Sequence, residues 1–123
     1  MLAALLLSFG SAGAMAQAVL AGKYKGSYVT VTRTGNTTVG IILDVKEVTK
    51  EGKVRAEVLM SNNGTCDGTY PMSGNLAASS LALKSTKKSG VAKDCTFGMN
   101  LRLEGGDKLS GKTTGGRAIT LTK

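Results

Sequence analysis

From Gly22 to the end of the chain, apolar side chains recur at close to every second position, and the runs are interrupted every ~8–12 residues by glycine, asparagine or serine. A strand places successive side chains on opposite faces, so a period of two buries one face and wets the other; a helix would need a period of 3.6. The pattern therefore restricts the chain to an all-β domain. Its clearest expression is Thr38 to Val48, where Val39, Ile41, Leu43 and Val45 alternate with Thr38, Gly40, Asp44 and Lys46, Ile42 alone being out of phase. Lys50-Glu51-Gly52-Lys53 then turns into Val54, Ala56, Val58 and Met60, which predicts a β-hairpin. A third run carries Cys95, Phe97, Met99, Leu101 and Leu103 in one phase and ends at Gly105-Gly106-Asp107.

Shorter strands are predicted at Lys23 to Arg33, Thr65 to Met72, Ala77 to Ser85, Lys108 to Thr113 and Ala118 to Thr122, with turns at Gly35-Asn36, Asn62-Asn63-Gly64, Ser73-Gly74-Asn75, Ser89-Gly90 and Gly115-Gly116. Eight strands with short connections fit a small antiparallel eight-stranded barrel, built as a meander, or a two-sheet β-sandwich. The first strand (Gly22, Tyr24, Gly26, Tyr28) and the final Leu109-Ser110-Gly111 and Ile119-Thr120-Leu121 resemble the general layout of lipocalin-like and avidin-like secreted barrels. The resemblance implies a fold only: avidin-like ligand pockets are lined by tryptophan, and this chain has none.

Residues 1–18 contain no charge, whereas every charged residue falls at Lys23 or later. Leu2 to Phe9 followed by Ala14-Met15-Ala16 reads as a secretory signal peptide cut after residue 16, with a second small-x-small site at Ala16-Gln17-Ala18 permitting a cut after 18. The cationic start of such leaders is missing, which is met if Met1 is internal to a longer leader. The expected organisation is thus a signal peptide, 1–16, and a single secreted or periplasmic β domain, 17–123. In that oxidising setting Cys66 and Cys95 are expected to pair as a disulfide. A transmembrane helix would need about 20 consecutive apolar residues, and Ser8, Gly10, Ser11 and Gly13 interrupt this run.

The absence of histidine removes Ser-His-Asp and Cys-His catalysis and histidine-ligated zinc or haem. The acids Asp44, Glu47, Glu51, Glu57, Asp67, Asp94, Glu104 and Asp107 sit mostly on outward faces or in turns beside lysines. Neither catalytic residues, nor a metal site, nor a cofactor is expected, and the chain is read as a non-enzyme.

Charge is the one functional feature above background, with 16 basic against 8 acidic side chains. Residues 44 to 57 are internally neutral, but Lys84, Lys87, Lys88 and Lys93 fall in an interval that holds no acid between Asp67 and Asp94. These four lysines are the candidate patch for an anionic partner: a polysaccharide, a lipid head group or a protein surface. Sequence-specific nucleic-acid recognition is not expected from so few aromatic residues. The function expected is non-catalytic binding through a basic surface. The alternative is a small-ligand carrier, for which Ala56, Ala82 and Gly98 would leave room inside a barrel.

Overall fold

The structure, a computed structural model, describes residues 20–87 and 94–123. Eight strands follow one another: β1 (Gly22–Thr32), β2 (Gly35–Val48), β3 (Lys53–Ser61), β4 (Gly68–Ala77), β5 (Ser80–Ser85), β6 (Gly98–Glu104), β7 (Lys108–Thr113) and β8 (Ala118–Thr122). Each pairs antiparallel with its sequence neighbour, and β1 pairs with β8, so the sheet closes into a barrel in simple meander order. Closure decides between the two predicted architectures in favour of the barrel.

The alternation determines which way each strand faces. On β3, Val54, Ala56, Val58 and Met60 are buried while Lys53, Arg55, Glu57 and Leu59 are exposed. Tyr24, Leu43, Tyr70, Leu81, Met99, Leu109 and Leu121 join them in one continuous core. This inward-apolar, outward-polar order is the reverse of a membrane-spanning barrel. The core begins before the first strand: Leu20 is fully buried, and the Tyr24 hydroxyl donates to its carbonyl at 2.8 Å. Thr113 is the buried polar exception among the described residues, and its Oγ1 accepts from the Arg117 amide at 3.1 Å.

Several boundaries differ from the sequence expectation. The predicted turn at Ser73-Gly74-Asn75 is uninterrupted strand, with Gly74 opposite Leu83. A Cβ on Gly74 would lie 1.7 Å from the Ala82 carbonyl oxygen, so glycine is there for close approach of β5. The chain reverses instead at Ala78 and Ser79, with Ala78 at φ 54°. Likewise Gly35-Asn36 opens β2, and Arg33-Thr34 makes the turn. The strand read from Cys95 starts at Gly98, and Cys66 lies in a 3₁₀ turn, Gly64–Cys66, ahead of β4. The register slips by one residue between Val45 and Glu47, which frees Lys46 to contact Asp44 and Glu57 at 2.8 and 3.4 Å.

The expected disulfide is present: Cys66 and Cys95 are bonded, with Cα atoms 5.6 Å apart. It joins the β3–β4 loop to the segment entering β6. The Tyr70 hydroxyl donates to the Cys66 carbonyl, and Phe97 packs on Tyr28 and Tyr70 with ring centroids 6.1 and 6.4 Å away. Burial pushes the ionisation of Tyr24, Tyr28 and Tyr70 to higher pH, helped at Tyr24 by Asp107 and at Tyr70 by Tyr28 and Asp67. Among the described residues no helix is long and apolar enough to cross a membrane.

Candidate basic groove on the outer wall

Of the four lysines singled out by sequence, Lys84 points outward from β5 and Lys87 is exposed just beyond it. Lys88 and Lys93 lie outside the described residues. Lys84 shares the outer wall of the sheet with cations from elsewhere in the chain.

Residues directly opposite one another on neighbouring strands share a face of the sheet. Following the register from β3 to β7, Lys53 faces Asn75, Asn75 faces Ala82, Ala82 faces Asn100 and Asn100 faces Lys112. All five side chains are exposed. They form a band around the outer wall whose order, Lys-Asn-Ala-Asn-Lys, is the same from either end. Followed along the curved sheet at about 4.8 Å per strand, the two amide positions are about 10 Å apart and the two lysine positions about 19 Å. The row above contributes Arg55, Ser73 and Lys84, and the row below Ala77, Ser80, Arg102 and Ser110.

The short Ala82 side chain leaves a hollow between the two amides. One depression of about 600 Å³ is lined by Asn75, Ala77, Ala82, Asn100, Arg102 and Ser110 among others. A second, about 380 Å³, shares Asn75, Ala82 and Asn100 with it and adds Ser73, Lys84 and Thr114. Neither has a carboxylate in its lining. Glu104 stands at the edge, held by Lys108 at 3.9 Å and by the Ser110 hydroxyl, which donates to it at 2.9 Å. On β2 and β3 the acids are matched by bases, as in Asp44–Lys46–Glu57 and Glu47–Arg55. The groove thus offers amides and hydroxyls that donate and accept, with cations around them and no nucleophile–base pair. Among the described residues no cluster of three or more His, Cys, Asp or Glu could hold a metal ion.

Two of the three small residues expected to leave room inside the barrel do not face its interior. Ala82 belongs to the outer wall, and the Cα of Gly98 is covered on the outside by Thr114, whose Cγ2 would lie 2.8 Å from an added Cβ. Ala56 does point inward, into the packed core.

Sequence reasoning missed Lys53, Asn75, Asn100, Arg102 and Lys112 because their association depends on strand register. The available signal was phase: each alternates with a buried residue, so each was legible as outward-facing. No family model matches the chain, and comparison with curated proteins and with solved structures likewise gives no match.

Proposed function

We propose that this protein is a non-catalytic binding protein, secreted or periplasmic, that engages an anionic partner through the outer wall of β3 to β7. One observation carries the reading: Asn75, Ala82 and Asn100 line two open depressions that include Arg102 and Lys84 and no carboxylate, and the register continues the row to Lys53 and Lys112. Lysines spread over a surface to keep a β protein soluble have no need to surround paired amides. The disulfide is compatible with an exported location. Binding is placed on the outer wall because large side chains, including Tyr24, Tyr70 and Leu43, occupy the barrel interior.

The test compares two variants of equal net charge. In one, Lys53, Lys84, Arg102 and Lys112 become Gln; in the other, Lys23, Lys25, Arg33 and Lys50 do, all exposed and outside this row. Retention on a heparin column and on vesicles of phosphatidylglycerol and phosphatidylcholine is read against salt. The groove variant is expected to elute first, with binding that weakens as the Debye length shrinks from about 10 Å at 0.1 M toward about 3 Å at 1 M. Equal elution of the two variants would overturn the reading in favour of net charge alone.

A further inference from the structure

Resting on that reading, we infer that the partner is an acidic polysaccharide whose chain lies across the strands, along the Lys-Asn-Ala-Asn-Lys row. A pyranose ring advances its polymer by about one inter-strand spacing, so the three adjacent positions Asn75, Ala82 and Asn100, spanning about 10 Å, run in step with a short run of sugars. Asn75 and Asn100, two strands apart, would meet alternate sugars while the intervening ring settles over Ala82.

A sugar ring presents hydroxyls that both donate and accept, and a primary amide does the same with its NH₂ and carbonyl. Ser73, Ser80 and Ser110 add hydroxyls to the lining, and the depressions open onto Lys84 and Arg102 for carboxylate or sulfate groups. Arginine can meet such a group with two parallel N–H bonds, whereas lysine acts as a point charge. The terminal Lys53 and Lys112 extend the positive track at both ends.

Single-stranded nucleic acid gains affinity by stacking bases on aromatic rings. Among the described residues Tyr24, Tyr70 and Phe97 are buried and Tyr28 is half-buried against Phe97, so none stands on this wall. A lipid surface would meet the exposed cations but would make no use of the paired amides on either side of Ala82.

The discriminating variant fills the hollow without changing charge. Ala82→Leu and, independently, the pair Asn75→Ser and Asn100→Ser keep the four cations in place; far-UV circular dichroism and thermal melting establish folding for each. Affinities are measured by titration calorimetry for heparin oligosaccharides, polygalacturonate oligomers, a single-stranded oligonucleotide of equal charge and the same anionic vesicles. Wild type is expected to bind the polysaccharides more tightly than the oligonucleotide, and each folded variant to lose roughly tenfold in polysaccharide affinity while its cation-exchange elution stays unchanged.

If both variants bind polysaccharide like wild type while the charge variant does not, the row is no seat for sugars and only the broader reading stands. Tighter binding of oligonucleotide or vesicles would replace the polysaccharide by that class. Loss of all binding selectivity in wild type, with the two charge variants indistinguishable, would remove the broader reading itself.

Discussion

Replacing Cys66 and Cys95 together by alanine opens a covalent loop spanning 29 residues of sequence separation. For a loop of that length, the entropy returned to the unfolded chain corresponds to about 3.6 kcal/mol at room temperature. Both cysteines also pack partly buried against the core, and losing those contacts adds about 1 kcal/mol. Set against a typical net stability of about 5–15 kcal/mol, the bond is a large share of what keeps this barrel folded. For a domain of about 100 residues the entropic part alone corresponds to a melting temperature lower by about 15–30 °C. Urea unfolding followed by tyrosine fluorescence suits a chain without tryptophan. Because the released loop contains β4 and β5, the unfolded variant should expose more surface, and its dependence on urea should steepen. A loss under about 1 kcal/mol would refute the loop argument. A large loss with an unchanged urea slope would move its origin to packing in the folded state.

Gly74→Ala drives a Cβ to 1.7 Å from the Ala82 carbonyl and should cost about 3 kcal/mol or more in urea unfolding. Gly115→Ala, whose Cβ would meet nothing closer than 3.8 Å, should stay within about 0.5 kcal/mol of wild type. Leu20→Ala should cost about 2–5 kcal/mol in the same assay, and an effect near zero would remove this residue from the core. Tyr24, Tyr28 and Tyr70 all ionise at higher pH in the folded state, chiefly because they are buried. Their contribution is therefore fully present below the unfolded value of about 10 and is lost as pH rises through the folded values, so urea midpoints should fall above about pH 10. Tyr70→Phe should make that fall shallower, and a midpoint independent of pH across this range would contradict the assignment.

The inward faces were legible in the sequence because burial there is enforced residue by residue. Val54, Ala56, Val58 and Met60 could not be shifted by one position without moving the whole set into water. Closure was not legible, since it depends on β1 meeting β8 from the opposite end of the chain, and no local pattern encodes that pairing. Ser73-Gly74-Asn75 misled for a related reason. Its residues tolerate turns, but here Gly74 answers to the approach of a neighbouring strand, while the turn falls to Ala78, a residue that rarely takes positive φ. Among the described residues of the lysine interval, Lys84 alone lines the depressions on this wall. Asn75 and Asn100 carry no charge to draw notice, and they meet around Ala82 only once the register of three strands is known.

Of the eight junctions, the line where β1 meets β8 has the fewest paired positions, three against five for β5–β6 and β7–β8. Only Lys25, Gly26 and Ser27 pair with Thr122, Leu121 and Thr120, whereas β1 and β2 are paired over eleven positions from Gly22 to Thr32. Contact there is nevertheless tight, since a Cβ on Gly26 would lie 2.0 Å from the Thr120 carbonyl oxygen. A cylinder with one short seam opens first along that seam: β8 can peel away as a unit while the long β1–β2 ribbon stays zipped. The centre of the groove, Asn75, Ala82 and Asn100, lies away from it on β4 to β6, strands stitched by the disulfide that ties the β3–β4 loop to the entry of β6. Fraying at the seam would thus leave that centre in place and reach the row only at Lys112, which pairs with Ala118 of β8.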